Sequence, residues 1–157
     1  MTTRETFRER LHSIDWAGYC TAYGTAVQVP EQLLRLAGGG REAMAASHDL
    51  WCGLCHQHAF VSSAALPALP FILEVRDRAD EALTAEILDL LLGFASCTRP
   101  EPTGDGPTWI AELRRCVAQQ LPHLRELVDH PNVEISDLAG RIIGELTDEV
   151  VPGAKRP

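Results

Sequence analysis

Apolar residues recur every three to four positions along most of this chain, a spacing that fits helices and little else. The densest stretch runs from Asp80 to Ser96, where Leu83, Ile87, Leu88, Leu90, Leu91, Leu92 and Phe94 cover almost the whole circumference of a helix. That pattern predicts a central, buried element. A second stretch, Arg41 to His56, is amphipathic, with Ala43, Met44, Ala46, Ser47, Leu50, Trp51, Leu54 and Cys55 on one arc at 100° per residue. No stretch alternates convincingly, and Ala59 to Ser62 is the only short strand candidate.

Punctuation divides the remainder. A first helix is expected over Arg4 to Ser13, and one or two helical turns over Asp15 to Gly24 with Asp15 as their cap. Pro30 opens a short helix, Glu31 to Ala37, which Gly38-Gly39-Gly40 ends. Ala64 to Val75 is apolar but carries Pro67 and Pro70, either of which could be a first-turn residue or a kink. Thr98 to Pro107 is a polar loop, Thr108 caps a helix to Asp129 kinked at Pro122, and Pro131 opens a last helix ending near Glu149. The core row of that helix is Ile135, Leu138, Ala139, Ile142 and Leu146. Residues 1–151 form one domain on this reading, and 152–157 a disordered tail.

Seven or so helices, each with one apolar stripe, must pack side by side as a bundle or an α-solenoid. A recurring phrase favours the solenoid: Leu66-Pro67 and Leu121-Pro122 each precede an apolar helical row, with roughly 50 residues between them. The expected class is therefore all-α, a short stack of antiparallel helix pairs.

Composition narrows function by exclusion. Apolar residues make up 45% and charged residues 23% of the 157, an ordinary globular balance. A formal net charge of −8 disfavours nucleic acid and anionic lipid as partners and permits a basic protein. No apolar run approaches the roughly 20 residues that cross a bilayer. The N-terminus carries Arg4 and Glu5 and leads into no apolar segment, so a cytoplasmic protein with reduced cysteines is expected.

Several phrases point to a family. Ile14-Asp15-Trp16, Ala22-Tyr23-Gly24-Thr25-Ala26, Val29-Pro30, Leu50-Trp51, His56-Gln57 and Leu69-Pro70-Phe71-Ile72-Leu73 occur in that order. This order resembles the HEAT-repeat-like proteins common in actinobacteria, with their D-W, A-Y-G-x-A, V-P, H-Q-G-T-V-Y and V-P-F-L frame. Ile135, Ala139, Ile143, Gly144 and Leu146 also resemble the second helix of a HEAT repeat, although Ser136 stands where that pattern has Arg. The chain departs from the frame at His58, in place of Gly, and at Ala59, Phe60 and Val61, in place of T-V-Y. The resemblance implies a HEAT-like α-α superhelix that binds other macromolecules, with immunity or adaptor roles as its most specific forms.

The densest group of chemically capable side chains is His48, Cys52, Cys55, His56 and His58. On a helix extended to His56, His48, Cys52 and His56 form one row. Its ends would be about 12 Å apart, too far to share an ion bound at about 2 Å. No metal and no cofactor are therefore expected. Cys52-x-x-Cys55 falls mid-helix, unlike a thioredoxin-type motif, and a Cys55–His58 nucleophile lacks an orienting acid. Cys20, Cys97 and Cys116 are expected in the core, as are Trp16, Tyr19, Tyr23 and Trp51.

Glu74, Asp77, Asp80, Glu81, Glu86 and Asp89 form an acidic run that is either a solvated helix face or a docking patch. The candidate binding residues are His56, Gln57, His58, Asp77, Asp80, Glu81 and Trp109, with no catalytic residue. The expected function is non-enzymatic protein binding. A small-molecule or enzymatic site built on residues 48–58 in a groove is the alternative.

Overall fold

The computed structural model describes residues 3–147, with side chains from Thr6 onward. The expected tail at 152–157 and the expected helix end near Glu149 lie outside the described residues. Within them the chain is all-α, apart from one very short hairpin.

Helix α1 (Thr3–His12) opens the fold. Its Phe7 is buried and packs edge-on against Phe71, ring centroids 5.2 Å apart. A 3₁₀ turn, Trp16–Gly18, follows. Asp15 precedes this turn, but its side chain makes no capping bond. Beyond the turn the expectation of further helix fails: Cys20–Thr21 (β1) and Gly24–Thr25 (β2) pair antiparallel as a hairpin. Gly24 has φ +133, so the turn suits its lack of a side chain. The strand candidate at Ala59 to Ser62 forms no strand.

Helix α2 (Val29–Ala37) carries Pro30 in its first turn, as expected, and α3 (Gly40–Leu54) starts within the glycine run. Helix α4 (Ala65–Arg76) settles the question of the two prolines. Pro67 lies in the first turn, where its missing N–H has no helical acceptor to serve, and Pro70 lies in the interior.

Helix α5 (Glu81–Cys97) is capped by Asp80, whose Oδ1 accepts the Leu83 N–H at 2.9 Å. Leu83, Ile87, Leu88, Leu90, Leu91, Leu92 and Phe94 are all buried, as the all-round apolar pattern predicts. The single kinked helix expected over 108–129 is instead two, α6 (Thr108–Ala118) and α7 (Leu121–Leu127). The ring of Pro122 would meet the carbonyl four residues back, at Ala118, and α6 ends there. Helix α8 (Val133–Thr147) is capped by Asn132 rather than opened by Pro131: Asn132 Oδ1 accepts the N–H groups of Glu134 (3.0 Å) and Ile135 (3.3 Å).

The helices lie in two layers. Helices α2, α4 and α6 adjoin in one, and α3, α5 and α8 in the other. Sequential partners α2 and α3, and α4 and α5, face each other across the layers, and α7 packs on α8. Most of α5 therefore meets apolar neighbours, and its polar residues are confined to its start and to the strip of Glu86, Asp89 and Ser96. Among the described residues no helix is long and apolar enough to cross a membrane.

Candidate functional site

Helix α3 stops at Leu54, and the chain then does something its sequence does not announce. His56, Gln57 and His58 all have positive φ, of 41°, 55° and 67°. Three consecutive residues with side chains thus form a left-handed turn, which costs roughly 1–2 kcal/mol per residue. Specific contacts hold it. The Ala59 N–H donates to the carbonyls of Cys55 (3.2 Å) and His56 (3.0 Å), and the Ser62 N–H to that of Leu54 (2.9 Å).

From the turn, the His58 Nε2 reaches α5, 2.9 Å from the Asp89 carbonyl oxygen and 3.3 Å from Asp89 Oδ1. The hydrogen bond to the Asp89 carboxylate raises the His58 pKa, against the opposing effects of burial and of Arg141 on α8. Gly93, one turn beyond Asp89, lets the two elements touch. A Cβ there would lie 2.6 Å from Cys55 Sγ and 2.8 Å from His58 Cδ2.

The turn exposes an aromatic ridge. The His56 ring stacks on Phe60 at 4.8 Å and meets Tyr23 edge-on at 6.1 Å. Tyr23 is 70% exposed and Phe60 49%, and Gln57 is exposed at the apex. Beneath the ridge Trp51 sits between two imidazoles, with ring centroids 5.8 Å from both His48 and His58.

Tyr23 also stands at the rim of a groove of about 820 Å³ between the hairpin, α2 and α3. Arg35 and Asp49 pair across it at 2.7 Å. One turn apart on α3, His48 Nε2 and Cys52 Sγ lie 3.7 Å apart, and Tyr23 lines the groove with them. Behind the groove, Glu86 on α5 has a raised pKa, through burial first and then the neighbouring Asp89 and Glu134 carboxylates.

The structure thus brings His56, Gln57 and His58 together with Tyr23 and Phe60, and leaves the other candidates elsewhere. Asp77 and Asp80 flank the α4–α5 turn and Glu81 opens α5, about 18 Å along α5 from Gly93 at 1.5 Å per residue. Asp80 is a structural cap, so it does not belong to a free acidic patch; Glu81 faces His130 at 3.9 Å. Trp109 is half-buried in the first turn of α6.

Other expectations are corrected. His56 is outside α3, so the His48–Cys52–His56 row does not exist. Cys20 and Tyr23 are exposed because the hairpin carries them outward, and Cys97 and Cys116 are only partly buried. Cys55 and His58 are neighbours but not a nucleophilic pair. Burial pushes the Cys55 thiol up to about 12, and it donates to the Trp51 carbonyl at 3.4 Å. The sequence pointed to Asp89 only within the acidic run and to Phe60 only as a departure from the frame, and nothing in it marked Gly93, because all three matter through the turn they support.

With this geometry the chain is an all-α protein of paired helices bearing one strained, exposed turn. No protein-family model, curated protein or solved structure matches it.

Proposed function

We propose that the chain is a non-enzymatic protein-binding module built as a HEAT-like stack of three helix pairs, serving as an adaptor or immunity protein. The alternating layers and the apolar-proline openings at Val29-Pro30, Leu66-Pro67 and Leu121-Pro122 support the stack. The HEAT-like frame has glycine where His58 stands, and a φ of 67° is a conformation glycine adopts freely.

The observation that carries the binding reading is the turn itself. Backbone strain is retained where the surroundings over-determine it, and such residues cluster at functional sites. Here the turn sets His56 and Phe60 beside Tyr23, which the hairpin carries outward, as an aromatic ridge of the kind that dominates binding energy. The partner presents an apolar pocket for the ridge and a basic rim, in keeping with the net charge of −8 and the crowded acids Glu86, Asp89 and Glu134.

The test is comparative affinity enrichment with the wild-type chain and a Tyr23→Ala/Phe60→Ala variant, followed by measured affinities. A partner held by the wild type should bind the variant about 30-fold more weakly, the loss expected of roughly 2 kcal/mol of anchor contacts. If both forms retain the same proteins equally, the ridge is not the contact. A separate Asp77→Lys/Glu81→Lys variant, with the Asp80 cap intact, asks whether the acidic turn takes part.

The groove supports a second reading, a small-molecule site. Its volume falls in the usual range for such pockets, and it presents a thiol, an imidazole and a phenol together.

A further inference from the structure

We infer that Cys52 is a modification site: a groove thiol, activated by His48, that forms a mixed disulfide with a peptide-like low-molecular-weight disulfide. This is independent of the protein-binding reading, because its readout is a covalent product.

The five cysteines are not equivalent. Cys55 is fully buried and its thiol is pushed to about 12. Burial also raises the Cys97 pKa, and Cys116 is partly buried. Cys20 is exposed on the hairpin. Only at Cys52 does an imidazole nitrogen lie within hydrogen-bond reach of the sulfur, at 3.7 Å. The i, i+4 spacing on α3 sets that approach, since side chains four apart lie on one helix face. Because His48 is exposed, a proton it accepts can pass to solvent.

The groove suits the second reactant. Gln28, Gln32, Thr21 and Thr25 line it and supply amides and hydroxyls that can pair with peptide groups. The step balances without an outside oxidant. His48 takes the Cys52 proton, and the thiolate attacks one sulfur of the small disulfide. The S–S bond of that reagent breaks as the new one forms, and the departing thiolate recovers the proton. The protein thiol is oxidised and half of the reagent is reduced. Cys55, three residues on, is too deeply buried and too weakly acidic to resolve the adduct, so the mixed disulfide persists.

The probe is oxidised glutathione, applied to the full chain, with site-resolved rates from peptide mapping. At pH 7 Cys52 should react faster than Cys20 by on the order of tenfold, and His48→Gln should remove that advantage while leaving the Cys20 rate unchanged. The wild type supplies a second measurement that needs no variant. At full conversion the product at Cys52 should be the mixed disulfide, with no Cys52–Cys55 disulfide accumulating, since Cys55 is buried. Equal rates at the two cysteines, or accumulation of a Cys52–Cys55 disulfide, would each overturn the assignment.

Discussion

Gly93→Ala should destabilise this protein, although the same exchange inside a helix normally stabilises by about 1 kcal/mol. Gly93 lies within α5, so propensity alone predicts a gain. The added carbon would meet Cys55 Sγ at 2.6 Å, His58 Cδ2 at 2.8 Å and Cys55 Cβ at 3.1 Å. Neither neighbour can swing away, because Cys55 is fully buried and His58 is tied to Asp89. Overpacking of this kind costs about 1–3 kcal/mol. Displacing His58 also loses its bond to Asp89, roughly 1 kcal/mol at a partly exposed position after screening. Setting the propensity gain against these costs leaves a net loss of about 1–3 kcal/mol. For a domain of this size the middle of that range lowers the melting midpoint by roughly 4–8 °C. The assay is thermal and urea denaturation followed by circular dichroism. Gly106→Ala is the control, since no heavy atom lies within 4 Å of its added carbon. A Gly93→Ala chain melting at or above the wild-type midpoint would refute the close-approach argument.

Three further outcomes are expected. His58 has a raised pKa in the folded chain, so its stabilising contribution is fully present below the ordinary histidine value of about 6.5 and is lost as pH rises through the folded-state value; urea midpoints of wild type and His58→Asn should therefore converge between about pH 6 and pH 8.5, and parallel curves would remove the His58–Asp89 linkage. Asp80→Ala should cost about 1 kcal/mol through the lost cap on α5, while Asp77→Ala and Glu81→Ala stay within about 0.5 kcal/mol of wild type; three equal effects would contradict the distinction. Gln57→Gly should stabilise by about 1 kcal/mol, because glycine adopts the 55° φ without strain, and a loss of stability would mean that the Gln57 side chain holds the turn.

The helices were legible because each is written twice, in an apolar period and in its ends. Pro30 placed the start of α2, and the all-round apolar surface of 83–94 placed α5 at the centre, where α3, α4, α6 and α8 surround it. Boundaries failed where one residue's sterics outweighed a continuous pattern. Pro122 split 108–129 into two helices, and Asn132 rather than Pro131 supplied the last cap. The candidate site was half legible. The sequence drew attention to His56, Gln57 and His58, and the departure from the HEAT-like frame fell on residues 58–61. The conformation was hidden, because Cys55 continues the apolar arc of α3 and nothing local ends the helix at Leu54. What ends it is tertiary: a bare patch of α5 backbone at Gly93, and the Asp89 oxygens that receive His58.

That distinction bears on why the turn matters. A helix end needing a left-handed residue is most cheaply made with one glycine. This chain instead keeps three side chains in that conformation, at several kcal/mol by the per-residue cost above. Two of the three serve visible purposes, His58 by anchoring the turn to α5 and His56 by carrying the ring between Tyr23 and Phe60. Gln57 serves neither, since it lies exposed at the apex. Its side chain therefore contributes strain without a compensating hydrogen bond or ion pair among the described residues. If the ridge is a contact surface, the apex amide is placed to bond to whatever covers it. The Gln57→Gly chain then separates the two roles of the turn. A form that is more stable yet binds the captured partner less well assigns the apex to recognition. A form that is more stable and binds equally well confines recognition to the three flanking rings.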